Sequence, residues 1–339
     1  MTTRRTVLKG AAITAGSLLA MPAIIRPSWA AGEAMSVVTP LGFSIDFFDT
    51  MNAYSGGHYA KFGLDAKVIG ANTGVQMTQL VVSGQGTFGR GAPPDIVRAV
   101  AANQPAPISI ATIAQGCNFR VFSLKDKPVR EPKDFKGKTV GLITLASPTG
   151  IYLDVMLATA GLTPKDVERQ PTGGTPGAIE ILKKGRVDCF ISTVAVEVAL
   201  QRAHEAVEVM NPDKYLPLPG QCYYAMADTI ANRPQVVVSF LKAIHASVEE
   251  MLSQPLTPLI RRAAKDFDIP GANDMDMLEA MLKAAINETM LSEGKQNLLR
   301  NLPQLWSGGC DALRLAHIVD IKDPGVLYTN KFVDEALKA

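Results

Sequence analysis

Short apolar runs alternate along this chain with longer segments whose apolar residues recur at helical spacing. In the first third, residues 36–39, 62–69 and 87–89 contain predicted strands, whereas Phe47–Tyr59 and Gln76–Ser83 are predicted helices. Such alternation predicts a largely parallel β-sheet covered by helices, which is an α/β fold.

A polar stretch, residues 125–138, interrupts this rhythm, and Pro217–Gly220 interrupts it again. Between them, predicted strands at 139–143, 167–170, 187–191 and 207–210 alternate with predicted helices at 150–160, 175–184 and 194–204. A chain of 339 residues exceeds the usual single hydrophobic core. We therefore predict two lobes: residues 35–127 plus 221–339, with a helical C-terminal region, form lobe 1, and residues 128–220 form lobe 2.

The N-terminal segment, residues 1–30, has the pattern of an export signal. It holds Arg4, Arg5, Lys9 and Arg26, no acidic residue, and an uncharged stretch at 10–25. The paired arginines predict the twin-arginine route, and Ser28-Trp29-Ala30 predicts cleavage near Ala30, which places the mature protein in the periplasm. A retained membrane anchor is the alternative, but the uncharged stretch is shorter than the roughly 20 residues that span a bilayer.

Charge and cysteine usage exclude several function classes. Without the four basic residues of the signal, 30 Lys and Arg face 32 acids, so the mature chain is weakly acidic and no nucleic-acid partner is expected. Cys117, Cys189, Cys222 and Cys310 form no C-x-x-C pair, so we expect buried free thiols, no metal and no cofactor.

Residues 138–152 form an apolar, β-rich run that ends in small residues and opens a helix. The free N–H groups of a helix start attract anions, and Ser147, Thr149 and Gly150 allow a ligand to approach closely. A well-capped structural joint is the alternative interpretation.

Five ordered motifs suggest a family. They are Phe62-Gly-Leu-Asp-Ala, Leu80-Val-Val-Ser-Gly-Gln-Gly-Thr-Phe-Gly, Asp134-Phe-Lys-Gly-Lys-Thr-Val-Gly, Ala160-Gly-Leu-Thr-Pro-Lys-Asp-Val and Lys184-Gly-Arg-Val-Asp-Cys-Phe. Together they resemble the nitrate/sulfonate/taurine and thiamine-pyrimidine (NMT1/THI5-like) substrate-binding proteins of ABC importers, over roughly residues 36–253.

The resemblance implies a type II periplasmic-binding-protein fold, with two α/β lobes and a ligand cleft between them. It implies a solute-binding protein that closes on a small ligand and docks transiently on an ABC permease. We expect a monomer, and the candidate residues below lead us to expect an anionic solute of the sulfonate or carboxylate type. Two alternatives stay open. One is a thiamine-pyrimidine synthase-like enzyme on the same fold, which would use a metal and a histidine such as His58. The other is a sensor that presents its ligand to a membrane receptor.

Candidate ligand residues in the first lobe follow predicted strands. The resemblance places a ligand-stacking aromatic at Phe43, and Arg90-Gly91 at a position that faces the cleft. A guanidinium binds a carboxylate or sulfonate at two points, so Arg90 is the main predicted anion contact. The alternative for Arg90 is a salt bridge to a surface acid, and the alternative for Phe43 is to pack against the helix start. Asn118 offers an amide at the end of another predicted strand.

In the second lobe, Gly174 and Thr175 open a helix, as Ser147 and Thr149 do, and Ser192 and Thr193 end a strand. Turn geometry or helix capping is the alternative for each of these. Tyr223 lies at the return crossover, where its phenol would reach the ligand or pack in the core.

Overall fold

The computed structural model describes residues 32–101 and 105–338, so the predicted export signal, cleavage site and periplasmic targeting lie outside the described residues. The strands are β1 Glu33–Thr39, β2 Leu64–Gly70, β3 Phe88–Gly91, β4 Ile108–Ala114, β5 Phe119–Leu124, β6 Thr139–Leu142, β7 Glu168–Pro171, β8 Cys189–Thr193, β9 Val207–Met210 and β10 Gln221–Ala225. Most of the sequence-predicted strands recur with shifts of a few residues.

Helices connect the strands and dominate the C-terminal third. They are α1 Phe48–Ser55, α2 His58–Lys61, α3 Gly74–Val82, α4 Pro93–Ala101, α5 Pro148–Thr159, α6 Ala178–Lys183, α7 Val194–Arg202, α8 Ala227–Asn232, α9 Pro234–Ser253, α10 Leu256–Ala263, α11 Met275–Ala285, α12 Pro303–Leu315 and α13 Lys331–Leu337. The helix predicted over 47–59 is divided into α1 and α2, because Gly57 takes a φ of 69°, which a helix cannot contain.

Two five-stranded sheets organise these elements. The first has the order β2-β1-β3-β10-β4, and the second has the order β7-β6-β8-β5-β9. Each sheet contains parallel pairs, but β10 runs antiparallel to β3 and β4, and β5 runs antiparallel to β8 and β9. The prediction of a largely parallel sheet therefore fits only part of each lobe. The strand that follows each crossover, β5 or β10, runs antiparallel to its neighbours.

The first change of sheet comes earlier than the predicted boundary between residues 127 and 128. Strand β4 belongs to the first sheet and β5 to the second, so residues 115–118 make the crossover. The polar stretch at 125–138 instead joins β5 to β6 within the second lobe. The return passes through residues 211–220, which include the predicted linker at Pro217–Gly220.

The two lobes contact each other through helices. Helix α7 of the second lobe lies against α11, and α5 lies against α4 and α12. Arg120 on β5 is buried between two carboxylates, with Nε 3.1 Å from Glu197 Oε2 on α7 and Nη2 2.9 Å from Glu288 Oε2 after α11. These contacts join the second lobe to the C-terminal helices that cover the first.

Candidate ligand-binding site

A cleft between the lobes forms the main candidate site. It encloses about 540 Å³ of space between atoms, including open solvent at its mouth. Its lining residues come from both sheets and from the crossovers: Pro40, Leu41, Asp46, Phe47, Thr73, Gly74, Ala92, Asp95, Asn118, Phe119, Ile143, Thr144, Ser147, Pro148, Thr193 and Gln221. A largely apolar cleft with a few polar groups has the character of a small-molecule site.

Strand ends and helix starts build the walls of this cleft. The chain leaves β2 and begins α3 at Thr73, whose hydroxyl accepts a hydrogen bond from Gln76 N at 3.1 Å. It leaves β3 and begins α4 at Pro93, and it leaves β6 and begins α5 after Ser147. Ligands of open α/β sheets bind at this edge, where strands end and helices begin.

Leu41 closes one side of the cleft from a strained loop. Its φ of 56° lies in the left-handed region, which costs a residue with a side chain about 1–2 kcal/mol. The next residue, Gly42, continues the turn at φ 65° and donates a hydrogen bond to Ala71 O at 2.8 Å. The turn places Leu41 in the cleft lining.

Arg90 is buried in the first lobe and bound to groups of the chain itself. Its Nε lies 3.1 Å from Asp49 Oδ2, its Nη2 lies 3.2 Å from Asp49 Oδ1, and its Nη1 donates to Gln221 Oε1 at 2.8 Å. The guanidinium carbon also lies 5.5 Å from the ring centre of Phe47 and 5.4 Å from that of Tyr223. Arg90 lines a smaller inner cavity behind the main cleft, with its charge paired by Asp49.

Tyr223 belongs to the same buried group. Its hydroxyl donates to Asp49 and lies 2.6 Å from Thr50 Oγ1, and its side chain has no exposed area. Burial is the first cause that raises the pKa of this phenol well above its usual value. Tyr223 therefore stabilises the Asp49 carboxylate by hydrogen bonding inside lobe 1, and it does not line the main cleft.

Asp46 is a carboxylate that several neighbouring cavities share. It lines the main cleft, the inner cavity and a third cavity between the lobes. Its side chain accepts a hydrogen bond from Ser44 Oγ at 2.9 Å and a long one from Asn118 Nδ2 at 3.5 Å. Burial raises the pKa of Asp46, while Ser44, Asn118 and Arg90 act in the opposite direction.

Only some residues of the second-lobe turn at 144–150 line the cleft. Ser147 lines the cleft, and its hydroxyl donates to Thr144 O at 2.7 Å and lies 2.6 Å from Thr149 Oγ1. Thr149 and Gly150 are buried beneath this surface and do not line it. The predicted ligand-binding turn thus contributes Thr144, Ser147 and Pro148 to the lining rather than its whole length.

The third cavity brings together the other second-lobe candidates. Gly174, Thr175 and Thr193 line it, and Thr193 also lines the main cleft. Ser192 is fully buried in β8, opposite Arg120 of β5. The structure therefore brings Asn118, Ser147 and Thr193 together at the main cleft, and Gly174 and Thr175 beside it.

Two first-lobe candidates lie away from the cleft lining. The ring of Phe43 packs on Phe267, with ring centres 5.0 Å apart, and Phe47 occupies the cleft in its place. Gly91 lies behind the wall, where an added Cβ would fall 2.5 Å from the Met77 methyl group. Gly91 therefore serves close packing of β3 against α3.

Among the described residues, no three His, Cys, Asp or Glu side chains are grouped so that they could hold a metal ion. His58, the histidine considered for an enzymatic role, binds Glu250 with its Nε2 at 2.8 Å and lines none of the three cavities. The part of the chain that the structure describes also contains no helix with the length and hydropathy to cross a membrane.

Comparison with known proteins decides the family. The family model described as NMT1/THI5 like matches residues 45–257, which is more than half of the 339-residue chain. The chain belongs to the NMT1/THI5-like family.

Solved structures confirm the fold of this NMT1/THI5-like protein. The periplasmic aliphatic sulphonate binding protein SsuA from Escherichia coli is 17% identical, with 88% of this chain and 92% of that chain covered and a TM-score of 0.67. The periplasmic nitrate-binding protein NrtA from Synechocystis PCC 6803 is 12% identical, with 90% and 88% covered and a TM-score of 0.65. The two-lobed type II periplasmic-binding-protein fold predicted from the sequence is therefore confirmed.

A curated relative with an enzyme's name also matches. It is 4-amino-5-hydroxymethyl-2-methylpyrimidine phosphate synthase from Schizosaccharomyces pombe, 24% identical over 217 residues. The match spans 60% of this chain and 61% of the relative, so the chain covers about three fifths of that protein's length.

Several cleft residues of this NMT1/THI5-like chain were not predicted from the sequence. Thr73, Gly74 and Asp95 lie at helix starts after β2 and β3, the same kind of joint that identified Ser147. Applying that rule to every strand-to-helix joint would have found them. Gln221, by contrast, begins a strand, and no pattern in the sequence marks it.

Proposed function

We propose that this protein is the periplasmic solute-binding component of an ABC importer, which captures a small organic molecule between its lobes. The observation that carries the proposal is the cleft itself, because its lining combines residues from both sheets and from the crossovers. A ligand in that position contacts both lobes, so its binding favours the closed arrangement over an open one.

Family and fold support this role. SsuA and NrtA are periplasmic binding proteins by name and have the same fold, and the export pattern of residues 1–30 fits a periplasmic protein sent through the twin-arginine route. In this role the protein acts as a monomer and delivers its solute to a membrane permease. A ligand-presenting sensor would bind its solute in the same cleft and differ only in its membrane partner.

Simple binding, rather than catalysis, agrees best with the cleft. Its lining is mostly apolar and, as far as the described residues go, contains neither a histidine nor a cysteine. The described residues also lack the metal-ligand group that the synthase-like alternative requires. The similarity to the yeast synthase makes turnover the alternative that an experiment must address.

The predicted anionic class of the solute relied on Arg90 as a free guanidinium and on three helix starts. With Arg90 paired to Asp49, no Lys or Arg remains in the lining of the main cleft among the described residues. Backbone N–H groups and hydroxyls would therefore have to stabilise the negative charge of a bound sulfonate or carboxylate.

A thermal-shift screen of residues 31–339 tests the proposed function. The panel contains taurine, alkanesulfonates, carboxylates, nitrate, pyrimidines, amines and amidines. A solute at one hundred times its Kd stabilises the folded state by about 2.7 kcal/mol. We expect at least one solute to raise the Tm and to be recovered chemically unchanged, as followed by NMR. Turnover of the solute would support the enzyme instead, and a panel with no binder would contradict the proposal.

A further inference from the structure

Arg120 is a buried cation that contacts both lobes. It lies on β5 of the second lobe, with its side chain 7% exposed. Its Nε lies 3.1 Å from Glu197 Oε2 on α7, and its Nη1 donates to Cys117 O at 3.0 Å and to Phe119 O at 2.9 Å. These three contacts fix the guanidinium to the second lobe and to the crossover at 115–118.

The fourth contact of Arg120 reaches the first lobe. Its Nη2 donates to Glu288 Oε2 at 2.9 Å, and Glu288 lies in the helical turn that follows α11. That turn packs on β4 of the first sheet, and its residues Ile286 and Met290 are buried in the core. The side chain of Glu288 itself is 47% exposed, so water can replace Arg120 as its partner.

Separation of the lobes would break the contact of Arg120 with Glu288 and leave its other contacts in place. To follow the first lobe, Arg120 would have to give up Glu197 and two backbone acceptors. Burial raises the pKa of Glu197, and the charge of Arg120 acts against this shift. Removal of Arg120 would leave Glu197 as a half-buried charge without its cation, which is unfavourable. Opening of the cleft therefore breaks the Arg120–Glu288 pair.

Arg120 also supports the wall of the main cleft. Asn118 and Phe119 line that cleft. The two carbonyl groups that accept hydrogen bonds from Arg120 belong to Cys117 and Phe119, on either side of Asn118. One guanidinium therefore holds the backbone of the cleft wall and joins it to the first lobe.

We propose that Arg120 is a positioning residue for solute capture, because its pair with Glu288 holds the lobes in the closed arrangement that binds the solute. This proposal rests on the proposed solute-binding function and adds two residues outside the lining of the main cleft that set its affinity. A protein whose binding-competent form is only partly populated binds more weakly in proportion to that fraction. Breaking the Arg120–Glu288 pair therefore lowers affinity without removing a ligand contact.

The variant Glu288→Gln tests this role, because it removes the charge and keeps the shape of a half-exposed side chain. Glu293→Gln is the matched control, since it makes the same change of net charge at an exposed residue of the following turn. The ion pairs of Arg120 are with Glu197 and Glu288. All variants are made in residues 31–339, and we expect Glu293→Gln to behave like the wild-type chain.

Spin labels on the two lobes measure the closed fraction without any solute. Asn72→Cys and Leu145→Cys place the labels at exposed positions beside the cleft residues Thr73 and Thr144, one on each lobe. The four native cysteines are buried. We expect double electron–electron resonance to show a larger share of the longer distance in Glu288→Gln than in wild type or Glu293→Gln.

Calorimetric titration with the strongest binder among the taurine, alkanesulfonates, carboxylates, nitrate, pyrimidines, amines and amidines of the solute panel gives the second readout. We expect Glu288→Gln to bind about three- to tenfold more weakly than wild type, in proportion to its loss of the closed form. A role of Glu288 in stability alone would leave both the distance distribution and this proportion unchanged.

The outcomes separate this inference from the proposed function. Equal distance distributions in wild type and Glu288→Gln would overturn the inference, as would equal affinity, and a measured affinity would still support solute binding. If the distances shift and no member of the panel binds, the Arg120–Glu288 pair does hold the lobes together and the proposed function is wrong. Glu288→Asp keeps the charge on a shorter side chain and is expected to shift the distances less. It decides the inference if Glu288→Gln fails to fold.

Discussion

Arg90 and Asp49 form a two-point ion pair inside the first lobe, with Nε to Oδ2 at 3.1 Å and Nη2 to Oδ1 at 3.2 Å. The two side chains are only 3% and 2% exposed. From the sequence, Arg90 was the main predicted anion contact, with a salt bridge to a surface acid as its alternative; the structure instead shows a buried pair. The pairing gives Arg90 a structural role inside the first lobe.

Replacing Arg90 by alanine should destabilise the fold. Arg90→Ala leaves Asp49 buried without its cation, and removal of one partner of a buried pair costs about 3–5 kcal/mol. We expect urea denaturation at pH 7 to show a loss of this size in the free energy of unfolding.

Two variants control for this effect. Arg90→Ala combined with Asp49→Ala should be less destabilised than Arg90→Ala alone, because no unpaired charge remains. Arg314→Ala breaks an exposed pair with Asp311 and should change stability by less than about 1 kcal/mol. A change of under about 1 kcal/mol in Arg90→Ala would mean that the pair does not hold the lobe together.

Glu250 should contribute a pH-dependent part of stability. Hydrogen bonds from Arg262, and then from His58 and Asn52, lower the pKa of Glu250 to about 2. A carboxyl with a lowered pKa stabilises the fold above its usual pKa, and this contribution is lost as the pH falls from about 4.5 towards 2. Glu250→Gln should therefore lower the Tm at pH 7, with the difference from wild type shrinking below pH 4.5. The exposed Glu335→Gln is the control, and a pH-independent difference for Glu250→Gln would contradict the assignment.

All four cysteines should be unreactive thiols in the folded protein. Each is buried and free, and burial raises the pKa of Cys117 and of Cys222 to about 12 and that of Cys310 to about 11. We expect Ellman's reagent at pH 8 to label none of them within minutes and all four after denaturation without reductant. Labelling of only two after denaturation would reveal a disulfide.

The fold could be predicted from local patterns more fully than the site. Apolar runs and helical spacing located most strands and helices, because side-chain burial imposes those periods on the sequence. The first crossover at 115–118 was missed because it is short and has no marked composition, whereas the polar loop at 125–138 has the composition of a linker without being one.

The site was harder to predict, because it depends on tertiary contacts between segments that are distant in the sequence. Ser147 and Thr193 were found from their strand-to-helix joints, and both line the cleft. Asp49, the partner of Arg90, lies 41 positions away on α1. No pattern near Arg90 in the sequence could therefore indicate that its charge is paired. Phe43 and Phe47 were equivalent as aromatics of one loop, and only packing on Phe267 distinguishes Phe43 from the cleft residue.

Blocking the cleft tests the central claim most directly. Thr144 lines the cleft, whereas the adjacent Leu145 is 60% exposed and outside the lining. The strongest binder of the solute panel is titrated calorimetrically into wild type, Thr144→Trp and Leu145→Trp. One-to-one binding is expected in wild type and Leu145→Trp, with affinity at least about 100-fold weaker in Thr144→Trp because the indole fills the ligand's space. Equal affinity in the two tryptophan variants would show that the solute binds outside the cleft.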